Sequence, residues 1–445
     1  MSGALRIGGG AGFAGDRIGP AVDLVEHGEL DYLVLECLAE RTIALGQQRR
    51  LQDPTAGYDQ RLDSWIRALA PALSRHQTRL VSNFGSANPA AAGERIRDLC
   101  DELGVPLDVA VLLGDDVLGQ IDPGAPAHED GRPLEEHGEL VSANAYLGAD
   151  ALLGAIRTGA RVVVTGRVAD PSLFVAPLAD AFDWDLGDWD LMGRGTAVGH
   201  LLECGAQLTG GYFADPPLKP VPDLANIGCP IAEVEPDGTA TFSKLATTGG
   251  RIDRRTVTEQ LAYEVMDPSA YLTPDVAADF TTVELHSAGT DRMRVTAASG
   301  RERPARLKVS VGYRAGFRCE AEISYAGRNA LARAQLAGDT VCQRLAGDLP
   351  EIRRDVIGVS ALHGEDNLPA QEPPYECRLR VAAMADTRER AAALGDEVAA
   401  LYTTGPAGGG GVRVYTEEVI GIVSTGIARE DVQPRVLHLQ PSMSR

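Results

Sequence analysis

Short aliphatic runs and amphipathic stretches alternate through the first half of this chain, and this alternation limits the fold more than any other feature. The runs are Asp31–Leu38 (DYLVLECL), Arg79–Ser82, Leu107–Leu113 and Arg161–Thr165. Between them lie stretches such as 93–103, with Ile96, Leu99, Cys100 and Leu103 at helical spacing. Strand–helix alternation of this kind implies a mostly parallel α/β sheet. Each run ends in a polar loop: 36–41, 83–89, 114–116 and 166–170. Open α/β sheets bind ligands at the carboxyl ends of their strands, so these loops are expected to meet on one edge, together with residues 8–17. From about residue 237 the pattern changes. Residues 281–288 and 292–298 alternate like paired strands around Gly289, and 306–313 with 317–325 read as a hairpin across Arg314–Gly316. A helix over 329–345 and a strand near 356–360 follow, then strand, helix and strand at 378–384, 387–402 and 412–416. The expected organisation is a Rossmann-like α/β domain over 1–236 and an α+β domain over 237–445 that closes the cleft, with the neighbourhood of Lys308 and the GPAGGGG loop at 405–411 returning to it.

Composition excludes several classes. A net charge of −21 argues against binding nucleic acid or an anionic membrane surface through bulk electrostatics. No run approaches the roughly 18 apolar residues of a membrane span, and no signal peptide is read at the start, so a cytoplasmic location is expected. The seven cysteines are scattered without a CxxC pair, which reads as reduced thiols and not as a zinc site or a disulfide frame. Lysines occur only at 219, 244 and 308, so Schiff-base chemistry has three candidates. No GxSxG nucleophile elbow is present.

Several polar groups stand where chemistry is expected. Gly10, Gly12 and Gly15 satisfy GxGxxG, with Glu36 at dinucleotide-binding spacing beyond them. The strand before them, Leu5–Ile7, is short, and Gly8-Gly9 push the motif away from it. The loop therefore suits an anion at a helix N-terminus, with Arg17 as counter-charge, better than a nicotinamide cofactor. The plainer reading is a tight turn with Asp16 as helix cap. Glu36 and Glu40 are four apart, so a helical turn would juxtapose them and raise one pKa, while Arg41 is available to pair either. Asn83, Asn88 and Asn144 lie in strand-end loops, where amides either donate to an oxyanion or shape turns. Arg167 and Asp170 follow the strand RVVVT and suit substrate carboxylate binding and proton transfer, or else a loop clamp. In the run 199–216 (GHLLECGAQLTGGYFADP), His200, Glu203 and Cys204 share a face if the segment is helical, and Gly210-Gly211 would end that helix. A metal would need a third ligand that the sequence does not place nearby, so none is expected. His200 is either a satisfied core histidine or a general acid/base.

Six segments together carry a family resemblance: Ile7–Arg17 (IGGGAGFAGDR), Leu80–Pro89 (LVSNFGSANP), Val164–Phe174 (VTGRVADPSLF), 199–216, Glu259–Asp279 (with the wording EQLAYEVMDPSAYLTPDV) and 405–411 (GPAGGGG). In this order they resemble the acyclic terpene utilisation family (AtuA-like proteins) over nearly the whole chain. The resemblance implies breakdown of terpenoid or branched acyl groups as coenzyme A thioesters, by a lyase or hydratase without a redox cofactor, in a homo-oligomer. Alternatives are an NAD(P)-dependent oxidoreductase using the GxGxxG loop, and a non-catalytic subunit. Some relatives carry a further small ferredoxin-like domain, expected here as a separate partner chain or absent. On this reading Glu36, Asp170, His200 and Glu203 are the proton-transfer candidates. The substrate-binding candidates are Gly10, Gly12, Gly15, Asp16, Arg17, Glu40, Arg41, Asn83, Asn88, Asn144 and Arg167.

Overall fold

A computed structural model describes residues 3–349, 351–364 and 374–441. Two compact units emerge: the first holds 1–134, 140–312 and 422–445, the second 135–139 and 313–421. These limits differ from a cut after residue 236, because strands beyond it extend the sheet of the first unit.

The strands of the first unit are β1 (Leu5–Ala11), β2 (Tyr32–Leu35), β3 (Arg79–Ser82), β4 (Val109–Leu113), β5 (Leu140–Ala145), β6 (Val162–Thr165), β7 (Pro230–Val234) and β8 (Ala240–Lys244). Then come β9 (Tyr271–Leu272), β10 (Ala277–Asp279), β11 (Glu284–Gly289), β12 (Arg292–Thr296), β13 (Ser299–Arg301), the start of β14 (Arg306–Ala326), and β18 (Arg435–Leu439) at the far end. One ten-stranded sheet runs in the order β11-β12-β8-β7-β1-β2-β3-β6-β4-β18. Its parallel segment is β1, β2, β3, β6 and β4. Antiparallel pairs flank that segment on both sides. The mostly parallel expectation therefore holds for the segment only, and antiparallel pairing prevails elsewhere. The parallel strands are short and continuously apolar, as strands covered on both faces must be. β2, β4 and β6 are buried at every position.

The helices of this unit are α1 (Ile18–His27), α2 (Glu40–Gln52), α3 (Leu62–His76), α4 (Pro89–Glu102), α5 (Ala149–Ile156), α6 (Ser172–Phe182), α7 (Trp189–Glu203) and α8 (Arg254–Ala262). The first strand shows why its glycines are there. A Cβ on Gly8 or Gly10 would strike Leu30, Leu33, Leu35 and Ala21 on the α1 side. A Cβ on Gly9 would lie 2.4 Å from the Leu202 carbonyl oxygen of α7. Successive strand residues face opposite sides, so the glycines let helices press close on both faces of one strand. Apolar residues of α1, α3 and α4 share a core with Leu33, Leu35, Leu80, Val109 and Val164.

The second unit follows the order of strands and helices expected from residue 317 onward. The later part of β14 is followed by α9 (Ala330–Leu345), β15 (Ile352–Ile357), β16 (Glu376–Ala385), α10 (Arg388–Thr404) and β17 (Gly410–Ala428). This is a βαββαβ series with sheet order β15-β16-β14-β17. The pairs β14–β16 and β15–β16 are antiparallel. That is the split βαβ connectivity of ferredoxin-like folds, which was expected from sequence on a separate partner chain or not at all. Cys319, Ile323, Leu379, Val381, Val341 and Leu394 form its core. The hairpin expected at 314–316 is absent: β14 runs through, and Gly316 takes a φ of +105° where a Cβ would meet the Ala385 carbonyl oxygen at 2.5 Å.

Candidate functional site

A cleft of about 790 Å³ opens in the first unit at the carboxyl ends of the parallel strands. Residues from separate elements frame it: Gly12 and Phe13 after β1, Glu36 and Leu38 after β2, Glu40 at the head of α2, and Tyr146 after β5. Arg167 and Asp170 after β6, Glu203 at the end of α7, Tyr271 on β9 and Lys308 on β14 complete it. Five carboxylates line it, Glu36, Glu40, Asp170, Glu203 and Glu264, against the fixed cations Arg167, Arg306 and Lys308. Of the residues named from sequence, Gly12, Glu36, Glu40, Arg167, Asp170 and Glu203 lie on this one surface.

Arg167 is the centre of the arrangement and is 1 % exposed. Its Nη1 donates to the Leu38 carbonyl at 2.6 Å, and Nε and Nη2 donate to the Val168 carbonyl at 3.1 and 2.7 Å. Nη2 also donates to Asp170 Oδ1. The guanidinium lies over the Tyr146 ring, 4.6 Å from its centroid. Burial alone would discharge it, but Asp170, Tyr146, Glu36 and Glu40 outweigh that and hold it firmly charged. With its donors turned to carbonyls and Asp170, Arg167 fixes the loops after β2 and β6 and does not present an open fork to a substrate carboxylate.

A second layer holds Arg167. Asp115, which sequence reasoning missed, accepts from the Arg167 backbone N–H at 2.8 Å and from Asn144 Nδ2 at 2.9 Å. Gly166 has no Cβ because one would lie 2.5 Å from that carboxylate. Burial raises the Asp115 pKa to about 6 against those two donors.

The acidic groups differ in environment. Glu36 Oε1 accepts from the Leu38 N–H and from Asn83 Nδ2, both at 2.8 Å, while Asn83 Oδ1 accepts from the Cys37 N–H at 2.7 Å. Burial first, and then the charge of Asp170, push the Glu36 pKa well up. Burial raises Asp170 as well, opposed by Arg167 and assisted by Glu40. Glu40 goes the other way. Burial works upward, but the Tyr146 hydroxyl, its own backbone amide at the head of α2, Lys308 and Arg167 hold it at about 2. Lys308 Nζ stands 3.2 Å from Glu40 Oε1. Glu36 and Glu40 therefore do not tune one another across a helical turn, since Glu36 lies in the loop after β2 and α2 begins only at Glu40.

His200 and Glu203 do share a helix face, with Nδ1 and Oε1 2.8 Å apart. The His200 ring is not part of the cleft lining. It stacks on Phe280 at 5.4 Å and meets Tyr271 at 5.1 Å. Burial lowers its pKa to about 4, so the ring is neutral near neutrality. Burial, Asp170 and Glu264 raise Glu203 well above the usual carboxylate range. Glu203 Oε2 is buried without a hydrogen-bond partner among the described residues. The helix ends at Glu203, not at Gly210-Gly211, because Gly205 already takes a φ of +52°.

The remaining candidates fall outside the cleft lining. Gly10 belongs to β1, which runs on to Ala11, so the expected short strand and displaced motif are corrected. Gly15 lies beside its own Phe13 ring. Asp16 Oδ2 accepts from the Gly12 N–H at 2.8 Å, within the turn that precedes α1. Arg17 turns away to the Ala225 carbonyl at 2.9 Å, and Arg41 is exposed. Asn88 caps α4 through the Ala91 N–H and ties down the Pro54 and Ala56 carbonyls. Asn83 and Asn144 act from behind, on Glu36 and Asp115. No asparagine named from sequence faces the cleft as an oxyanion donor. Of the three lysines, Lys308 alone lines the cleft. Lys219 pairs with Glu259, and Lys244 with Asp291. Among the described residues no group of three or more His, Cys, Asp or Glu is placed to hold a metal ion.

Fold and site together define a mixed α/β protein with a carboxylate-lined, strand-end cleft sized for a small molecule. The chain belongs to the acyclic terpene utilisation family: the model of the family protein AtuA matches residues 5–438, nearly the whole chain. This family takes part in acyclic terpene utilisation. Comparison with curated proteins and with solved structures gave no match. No helix among the described residues is long and apolar enough to cross a membrane.

Proposed function

We propose that the cleft is the active site of a lyase or hydratase that acts on branched or terpenoid acyl-CoA thioesters by proton transfer. One observation carries the reading. Glu36, Asp170 and Glu203 line a single cleft, each with one carboxyl oxygen held by a protein group and each with its pKa raised by burial. Adding water across an acyl-CoA double bond needs an acid at one carbon and a base on the water. Cleaving a 3-hydroxyacyl-CoA needs a base on the hydroxyl and an acid for the enolate carbon. Carboxyl groups whose proton affinity is raised by burial serve either step.

In this mechanism Asp170, fixed by Arg167, and Glu36, fixed by Asn83 and the Leu38 amide, exchange the substrate's protons. Glu203 shares a proton with His200, which acts by positioning it. Lys308 and the Tyr146 hydroxyl, both bound to Glu40, are the donors closest in kind to what a thioester enolate needs. Phe13, Leu38, Leu272, Pro274 and Leu307 give the acyl chain an apolar wall. Weighing against a nicotinamide cofactor, Gly12 is packed on the end of α7 and its amide is taken by Asp16. The test is turnover on a panel of enoyl-CoA and 3-hydroxyacyl-CoA thioesters, by wild type, Glu36→Gln and Asp170→Asn. Inactivity of folded wild type on the whole panel would remove the acyl-CoA assignment.

A further inference from the structure

Behind the loop that carries Glu36 lies a second, smaller pocket of about 220 Å³. At ~30 Å³ per water, it has room for roughly seven waters, or for an ion of four or five heavy atoms with a few waters around it. Arg49 reaches it from α2 and Arg61 from the head of α3. Arg49 gives one donor to the Tyr58 carbonyl at 3.1 Å, and Arg61 gives one to the Ala14 carbonyl at 2.9 Å. Each guanidinium carries five N–H donors, so most of this donor capacity remains for a ligand. One carboxylate, Asp59, lines the pocket with them. It acts on both through charge, and its Oδ1 accepts from the Arg61 backbone N–H at 2.7 Å. The balance is two positive groups against one negative.

Ser86 supplies the independent sign of a ligand. It lines the same pocket, is 3 % exposed, and its hydroxyl is buried without a hydrogen-bond partner among the described residues. A buried hydroxyl left unpaired is unfavourable by about 1–3 kcal/mol. The backbone there is held at a φ of +46°, in the left-handed region that favours glycine. Room is made for the hydroxyl: a Cβ on Gly46 of α2 would stand 2.7 Å from Ser86 Oγ. The tail of the GxGxxG run, at Ala14 and Gly15, bounds the pocket on another side.

We propose that this pocket binds a phosphate-class oxyanion, held by the Arg49 and Arg61 guanidiniums and the Ser86 hydroxyl. The pocket is distinct from the cleft, and the inference does not depend on what the cleft turns over. The two cavities share Leu38 as a wall. Asn83 touches both: it lines the pocket, and its amide holds Glu36 in the cleft. A bound oxyanion therefore sits one side chain away from a carboxyl group of the cleft. The phosphate can arrive as a free ion or as part of a larger molecule such as coenzyme A.

The experiment is calorimetric titration of the full chain, at constant ionic strength, with inorganic phosphate and separately with coenzyme A. Wild type is compared with Arg49→Gln/Arg61→Gln and with Ser86→Gly, which removes the hydroxyl and relieves the backbone. Saturable phosphate binding by wild type, weakened by roughly tenfold or more in the arginine variant, is expected if the ligand is a free ion. Binding of coenzyme A alone, weakened in the same variants, assigns the phosphate to a larger molecule and also supports the site. If wild type binds neither, or if folded variants bind as wild type does, the proposal is overturned. Should the arginine variant fail to fold, Ser86→Gly decides, and unchanged affinity there overturns it.

Discussion

Replacing Gly12 by alanine separates two explanations of the glycine run. A Cβ at Gly12 would lie 2.3 Å from Cys204 Cα, 2.4 Å from the Cys204 carbonyl carbon and 2.5 Å from the Glu203 carbonyl oxygen. Comfortable contact between such atoms is about 3.5–4 Å, so more than ~1 Å of separation is missing. All three neighbours are backbone and cannot rotate aside. Overpacking of this kind costs about 1–3 kcal/mol. Gly19→Ala is the control. It lies in α1, a Cβ there meets nothing within 4 Å, and removing glycine from a helix gains about 0.5–1 kcal/mol. The two alanine variants are thus expected to differ by roughly 1.5–4 kcal/mol. Denaturant unfolding followed by far-ultraviolet circular dichroism measures this directly. Gly12→Ala should also disturb the cleft, because the backbone it displaces carries Glu203. If Gly12→Ala is as stable as Gly19→Ala and loses only ligand affinity, the glycine serves a ligand, and close packing of β1 on α7 is the wrong account.

Four further outcomes are expected. Glu36→Gln should lower kcat on any thioester the wild type turns over by about 10²–10⁴ with little change in melting temperature, and normal turnover would remove Glu36 from the mechanism. Asn88→Ala should cost about 1–2 kcal/mol through loss of the α4 cap while leaving kcat alone, as measured by paired melting and turnover. His200→Gln should lower stability by about 1–3 kcal/mol and displace the pH–rate profile, since Glu203 loses its held oxygen; a profile superimposable on wild type would make His200 purely structural. Asp115 and Asp275 are both raised to about 6 by burial, above their unfolded values of ~3.9. The folded state then binds the extra protons, so their contribution is fully present below pH ~4 and is lost as pH rises through 6. Unfolding free energy from denaturant titrations should therefore be higher at pH 5 than at pH 7.5. Asp275→Asn should flatten that slope.

Period and punctuation made the fold legible where strands were buried on both faces. Arg79–Ser82 was read to the residue, and β4 and β6 to within two, because continuous apolar runs between polar loops leave few alternatives. Gly8–Gly10 were misread because glycine carries no hydrophobic signal, yet they are strand, and what requires them is the nearness of α1 and α7. Gly316 misled in the same manner. Its positive φ fits a turn, but it serves close approach to the Ala385 carbonyl within a continuous strand. Both errors concern residues whose role is set by a neighbour far away in sequence.

The site followed the same division. Strand-end position sufficed to find Glu36, Arg167 and Asp170, since parallel topology alone brings such loops to one edge. It could not assign their roles. Arg167 had the residue type of a carboxylate binder, but the carbonyls of Leu38 and Val168 occupy its donors, and no local pattern shows where a guanidinium's hydrogen bonds will go. Asn83, Asn88 and Asn144 were equal candidates in sequence, yet they hold a carboxyl group, a helix and a buried aspartate respectively. Asp115 was passed over as one of two adjacent aspartates in a loop, although its contact with the Arg167 amide fixes the centre of the cleft. Lys308 and Tyr146 come from elements 162 residues apart that meet because the Tyr146 N–H donates to the Lys308 carbonyl at 2.9 Å. Residue type and strand end can therefore locate a carboxylate cleft, whereas the proton affinity of each carboxylate depends on neighbours that only the folded chain supplies. Glu40, held at about 2, and Glu36, pushed well above 4.5, stand four residues apart and show how large that contribution is.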